Sequence, residues 1–185
     1  MLLIIKKETK VAKVVTFANV KGGSGKSTLC INMAAILVRT GYSVAIIDAD
    51  QQKCSQDWIT GTKDKLLSRV EIIEPVELKA AEDVEVDFLL IDTQGSLTKE
   101  MAQFLFQSSL IITPCRASRD DIVGQGWIEV FLKQSNQNIK KAPILTVLNG
   151  VNKRSSILSH VIEQLKEDGV QVAETCISQR VCFAE

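Results

Sequence analysis

The stretch Lys13-Val-Val-Thr-Phe-Ala-Asn-Val-Lys-Gly-Gly-Ser-Gly-Lys-Ser-Thr28 decides the fold. Its first half, Lys13–Asn19, is a run rich in β-branched and apolar residues and reads as a buried strand. Its second half is glycine-rich and leads into Lys26–Thr40. There Leu29, Ile31, Met33, Ile36 and Leu37 carry helical spacing, and Gly41 stands where a helix is usually closed. Strand, glycine loop and helix in that order make a phosphate cradle. Gly22, Gly23 and Gly25, with Ser24 among them, let successive backbone N–H groups turn inward, and the helix N-terminus adds partial positive charge. In such a loop Lys26 reaches the β and γ phosphates of a nucleotide, the Ser27 hydroxyl ligates Mg²⁺, and Thr28 is placed for the α phosphate. The strict Gly-x-x-x-x-Gly-Lys-Ser/Thr pattern asks for a first glycine where Val20 stands, while Gly25-Lys26-Ser27 keeps the other end.

Outward from this loop, Ser43–Asp48 reads as a second strand, Val70–Glu74 as a weaker third and Asp87–Asp92 as a fourth. Ser109–Pro114 and Pro143–Asn149 follow the same pattern, and Val170–Thr175 reads as a last short strand. Helices are expected over Asp120–Gln137 and Ser155–Glu167, the latter stopped by Gly169; Thr60–Arg69 reads as a loop or short surface helix. Strands this apolar on consecutive positions are buried on both faces, which implies a parallel sheet covered by helices. The expectation is one α/β domain over residues 1–185, doubly wound, mainly parallel, with helices on both faces.

Composition agrees and sets limits. The chain has 185 residues, 45% of them hydrophobic and only three of them proline, which suits one well-packed core and excludes disordered and collagen-like classes. Lys+Arg and Asp+Glu both total 22, so a globally basic nucleic-acid binder is excluded. The balance is uneven along the chain: Glu71–Asp92 holds eight acids and one base, Lys79. Val130–Ile162 holds five bases (Lys133, Lys140, Lys141, Lys153, Arg154) and no acid, which leaves room for a local basic patch. The five cysteines form no CxxC pair and suit idle thiols in a reducing compartment better than disulfides or a zinc site. The charge-free stretch Met101–Cys115 is 15 residues long, too short to span a membrane, so a soluble intracellular protein is expected. His160 is the only histidine, which argues against Ser-His-Asp catalysis and histidine metal clusters. Trp58 and Trp127 read as packing residues.

Lys21-Gly-Gly-Ser-Gly-Lys-Ser/Thr resembles the deviant Walker A box of the ParA/MinD family of P-loop ATPases. The resemblance implies that Lys21 reaches across a dimer interface to the phosphates of the partner's nucleotide. Two lysines this close repel each other until ATP supplies compensating charge, which makes nucleotide-dependent dimerisation reasonable. Asp48-Ala-Asp50-Gln-Gln52 resembles the family's Asp-x-Asp-Pro-Gln box, with Gln51 in place of the proline. By that resemblance Asp50 orients or activates the attacking water and Asp48 holds a Mg²⁺-bound water; alternatively one of the two caps the next helix. Leu89-Leu-Ile-Asp92 is similar to a Walker B strand, with Asp92 holding Mg²⁺ through water and Thr93 and Gly95 opening a γ-phosphate-sensitive loop. Pro114, Ser118 and Asp120 or Asp121 resemble the segment after the family's next strand, where Arg116 is either a solvated arginine or a contact to phosphate or partner. Asn149 sits where relatives often recognise adenine, with Asn152 as the nearby alternative.

Cys115 lacks the companion needed for an interfacial iron–sulfur cluster, and Tyr42 is the only tyrosine, against the cluster carried by tyrosine kinases of this fold. What remains is similar to small ParA/ParF-type DNA-partition ATPases. The resemblance implies a cytoplasmic, nucleoid-associated Mg²⁺-ATPase that forms a homodimer with ATP. It also implies a small ParB/ParG-like centromere-binding partner and weak binding to non-specific DNA. A MinD-like positioning ATPase acting on membrane or another cargo is the alternative, although no membrane segment or amphipathic tail is visible. Cys176–Glu185, with Arg180, resembles the start of a C-terminal helix, so the domain is expected to lack part of that helix.

Overall fold

The computed structural model describes residues 11–75, 84–134, 142–152 and 154–179. In chain order the elements are β1 (Lys13–Phe17), α1 (Lys26–Arg39), β2 (Val44–Asp48), α2 (Cys54–Thr60) and a 3₁₀ turn at Leu67–Arg69. There follow β3 (Glu71–Ile72), β4 (Phe88–Asp92), α3 (Lys99–Gln107), β5 (Leu110–Cys115), α4 (Arg119–Gln134), β6 (Ile144–Leu148) and α5 (Ser156–Glu167). The six strands form one sheet in the order β3-β2-β4-β1-β5-β6, and every pairing is parallel. This is the fold expected from the consecutive apolar positions.

The pleat sorts neighbouring residues to opposite faces. Val15 and Phe17 of β1 and Leu90 of β4 pack with Cys30, Ala34, Leu37 and Val38 of α1. Val14, Leu89 and Ile91 pack on the other side with Phe104 of α3, and Ile111 of β5 joins Met101, Leu105, Ile128 and Leu132 of α3 and α4. Each buried aliphatic side chain of this size contributes about 1.5–3 kcal/mol, which is what holds both helical layers on the sheet. The register then fixes the functional edge. Phe17 pairs with Asp92, and Asp48 pairs with the same Asp92, so the loops after β1, β2 and β4 leave the sheet side by side. Ligands of open α/β sheets bind at this carboxyl edge.

Several elements differ from expectation. The strand expected over Val170–Thr175 is reduced to one isolated bridge, Thr146 with Val172, because Glu174 and Thr175 are exposed polar residues with no further strand to pair. The third strand shortens to two residues at the sheet edge. Helices α2 and α3 were not expected. Trp58 and Trp127 are each 53% exposed rather than packed, since the residues after them, Ile59 and Ile128, are the ones the helices turn inward. Cys30 and Cys115 are buried, Cys54 is exposed and Cys176 is half-buried, all free thiols. Of the acid-free stretch, Lys140, Lys141, Lys153 and the side chain of Lys133 lie outside the described residues, as do Lys79 and Arg180.

Candidate nucleotide site

The glycine loop between β1 and α1 is held from three sides. The Asn19 side chain, fully buried, donates to the Pro114 carbonyl at 2.7 Å and accepts from the Lys21 amide at 2.9 Å, so the loop starts where β1 and β5 end. The Asn149 amide donates to the Ser24 carbonyl at 2.9 Å. Gly95, in the loop after β4, lies so close that a Cβ there would meet the Gly22 amide at 3.1 Å. Gly25 is required twice: its φ of +99° is a left-handed conformation, and a Cβ would sit 2.1 Å from the Asn149 amide nitrogen.

Gly25 also caps α1 without a side-chain acceptor, so the first amides of α1 are left facing a cleft of about 1210 Å³. Gly22, Gly23, Gly25, Lys26, Ser27, Thr28, Asp50 and Asn149 all line that cleft. Lys26 is buried as a residue, and its ammonium donates to the Lys21 carbonyl at 3.3 Å. Burial lowers its pKa, and the nearby Asp92 and Asp50 carboxylates pull it back up. Lys21 turns its ammonium to the Asp121 carboxylate, 3.7 Å away, and Asp121 is also bonded to the Ser118 hydroxyl.

The three candidate carboxylates are brought to one edge but are used differently. Asp50 lines the cleft, its Oδ1 held by the Gln52 amide at 3.0 Å. The turn needs no proline: the Lys53 amide donates to the Asp50 carbonyl at 3.1 Å, and the Lys53 ammonium donates to the Asp48 carbonyl at 2.6 Å. Asp48 is fully buried and serves as a remote cap of α2. Its Oδ2 accepts from the Ser55 amide at 2.9 Å, the Ser55 hydroxyl at 2.7 Å and the Gln56 amide at 3.0 Å, while its Oδ1 accepts from the Asp50 amide at 3.1 Å. Three of the four donors crowd Oδ2, and one is on Oδ1. The helix-capping reading therefore describes Asp48 Oδ2, while Oδ1, with the Asp50 amide alone upon it, keeps room for the expected Mg²⁺-bound water.

Asp92 is the opposite case. It is fully buried, and among the described residues neither carboxylate oxygen has a hydrogen-bond partner. Burial pushes its carboxyl up to about 6, the Asp48 charge adding to the rise, while the nearby Ser27 and Ser55 hydroxyls and the Lys26 charge pull it down. An orphaned buried carboxylate beside the Ser27 hydroxyl is the donor set a hard divalent cation takes, so the residues present fit Mg²⁺.

Arg116, for which solvation and a contact to phosphate or partner were both open, is exposed and donates from its guanidinium to the Gly23 carbonyl in the glycine loop. Asn149 lines the cleft; Asn152 does not, its side chain accepting from the Arg154 amide at 3.1 Å. The motifs missed Asn32, whose amide donates to the Thr28 carbonyl one helical turn back, and Ile177–Gln179. The latter segment reaches the cleft through the bridge between Val151 and Ser178, a tertiary pairing with no local signal. Among the described residues no helix is long and apolar enough to cross a membrane.

A strand, an open glycine loop and a helix, with a buried carboxylate on the adjacent strand, define a P-loop nucleotide-binding domain. The family model described as the CobQ/CobB/MinD/ParA nucleotide binding domain matches residues 15–185, and the chain belongs to that family. It is 24% identical over 178 residues to the maintenance of carboxysome distribution protein A of Halothiobacillus neapolitanus, covering 93% of this chain and 82% of that protein. Among solved structures it resembles a putative plasmid partition protein of Borrelia burgdorferi B31 bound to AMPPNP. That match has a TM-score of 0.75 and 21% identity, covering 94% of this chain and 90% of the other. It also resembles pNOB8 ParA bound to nonspecific DNA, with a TM-score of 0.62 and 20% identity over 89% of this chain and 79% of the other.

Proposed function

We propose that the protein is a Mg²⁺-dependent ATPase that dimerises on ATP and drives plasmid or chromosome segregation with a small ParB/ParG-like centromere-binding partner. The observation that carries the nucleotide part is Asp92, buried and, among the described residues, without a hydrogen-bond donor, beside the open N-terminus of α1. Ser27 and Asp92 would hold Mg²⁺, Asp92 through water; bound there, the ion would neutralise charge developing on the β and γ phosphates. The loop amides and Lys26 bind and orient the phosphates, and Lys26 loses little hydration in doing so because it is already nearly buried. Asp50, on the cleft wall, orients the attacking water. Asn149, beside Ser24 and Gly25, supplies the polar edge for adenine. Lys21 would exchange Asp121 for the partner's phosphates on dimerisation. Family membership and the ParA-like fold support the segregation reading, with weak DNA binding at the nucleoid.

Single-turnover ATP hydrolysis with Mg²⁺ and non-specific duplex DNA tests the enzyme. Wild type should turn over and Asp50→Ala should not; equal inertness would remove the ATPase reading. Sedimentation with a non-hydrolysable ATP analogue should give a dimer that Lys21→Ala loses, and an unchanged monomer would remove the dimer. DNA affinity should be higher with ATP than without and fall steeply with salt. The carboxysome relative favours a second reading, a positioning ATPase acting on membrane or another cargo. A small DNA-binding protein encoded directly downstream would decide for partition.

A further inference from the structure

The cleft has two chemically distinct ends. Asn149, Gly150 and Ile177–Gln179 gather at one, against Ser24 and Gly25. At the other, the Lys26 ammonium lies on the Lys21 carbonyl, Gly95 abuts Gly22, and Arg116 lies on Gly23. Because a P-loop lysine serves the outer phosphates, this second end is where a triphosphate ends. The cations there are not equally available. Lys21 faces the Asp121 carboxylate, and Lys26 feels the Asp92 and Asp50 charges. Arg116 is exposed, lines the cleft, and among the described residues has no carboxylate partner; one backbone carbonyl takes one of its five N–H donors. A Cβ on Gly23 would lie 3.7 Å from its Nη2, so the guanidinium sits directly over the loop.

We propose that Arg116 is a terminal-phosphate clamp: its guanidinium moves from the Gly23 carbonyl to the γ phosphate of the nucleotide bound to the same chain, so that the site distinguishes ATP from ADP. A planar fork suits two phosphate oxygens, and an arginine bonded to the Gly23 carbonyl is already positioned over the loop that holds them. ADP ends one phosphate short and leaves Arg116 on Gly23. This deepens the nucleotide-binding reading above and rests on it.

The test is equilibrium binding of a fluorescent non-hydrolysable ATP analogue and of fluorescent ADP, each with Mg²⁺, to the full chain and to Arg116→Ala and Arg116→Lys. Arg116→Ala should weaken the triphosphate about tenfold to a hundredfold and ADP less than about threefold. Arg116→Lys should recover part of the triphosphate loss. Equal weakening of both nucleotides would make Arg116 a brace of the glycine loop and overturn the proposal, as would no change in either. Repeating the titration across protein concentrations fixes the chain: an effect that appears only as the protein self-associates overturns the same-chain assignment. Should wild type bind neither nucleotide, the underlying reading fails first, and this is seen before any variant is compared.

Discussion

Two loops leave the same edge of the sheet from strands that both pair with β4, and both run into helices, yet they end in opposite electrostatic states. After β1, helix α1 begins at Gly25 with no side-chain cap, and its amides face the cleft. After β2, helix α2 also begins without a local cap, but Asp48 reaches across seven residues to take the amides of Ser55 and Gln56. A helix N-terminus attracts an anion in either case. One is answered by the protein's own carboxylate and the other is left for phosphate. The difference teaches how a single fold makes one terminus a joint and its neighbour a binding site.

Removing the internal anion is the harshest way to break this contrast. Asp48→Ala strands the Ser55 amide and hydroxyl and the Gln56 and Asp50 amides in a buried environment. A loss of about 3–5 kcal/mol is expected, or roughly 10 °C in melting temperature, measured by calorimetry or urea unfolding. A loss below about 1 kcal/mol would mean that α2 is capped by water instead.

Asp92 lies between the two termini and should respond with the opposite sign. Its carboxyl is raised to about 6 in the folded protein, above the value of 3.8 for an unperturbed carboxyl. The folded state therefore holds the proton more tightly than the unfolded chain. The stability linked to this group is whole below about pH 4 and is lost as pH climbs through about 6. Asp92→Asn should then stabilise the Mg²⁺-free protein by about 2–3 kcal/mol above pH 7, with the gain shrinking to nothing near pH 4. Melting curves across pH check it; a gain independent of pH would point to packing rather than charge. The same substitution should remove the Mg²⁺ dependence of ATP binding.

The comparison also explains what could be read from the chain. The phosphate loop was legible because everything it needs is contiguous: a β-branched strand, glycines for inward amides, and a lysine on the first turn. The carboxylate edge was legible as residue types but not as roles. Asp48 and Asp92 both end apolar strands, and only the position of Ser55, seven residues on, separates a cap from an orphan. Helix α2 was missed for the same reason, since its cap is remote and its buried positions are only Ser55 and Ile59. Arg116 and Ile177–Gln179 reach the cleft by tertiary contacts that no spacing encodes. Helix α3 is different. Met101, Phe104 and Leu105 recur at helical spacing behind Thr98, a signal that was present and was masked by the charge-free run it begins.

A smaller effect tests why the open loop must stay glycine. Gly25→Ala puts a Cβ 2.1 Å from the Asn149 amide and a side chain on a φ of +99°. The backbone part costs about 1–2 kcal/mol and the collision adds to it, displacing Asn149 and weakening ATP binding. Adding Asn149→Ala should relieve the collision and leave the backbone cost. If the double variant is no more stable than Gly25→Ala alone, the two residues do not meet as described.

The smallest effect comes from α3, a helix that, like α5, has an ordinary cap. The Thr98 hydroxyl accepts from the Met101 amide at 3.1 Å, three residues on, so α3 closes its own N-terminus locally. Thr98→Ala should cost about 1 kcal/mol in unfolding free energy, several-fold less than Asp48→Ala, because one part-buried bond is lost rather than four. Thr98 also lies in the loop region after Asp92, so its loss could be mistaken for damage to the nucleotide site. Binding of ADP separates the two: it should be unchanged in Thr98→Ala, since neither Thr98 nor Met101 lines the cleft. A Thr98→Ala penalty as large as that of Asp48→Ala would erase the distinction between local and remote caps and with it the explanation of why α2 depends on Asp48.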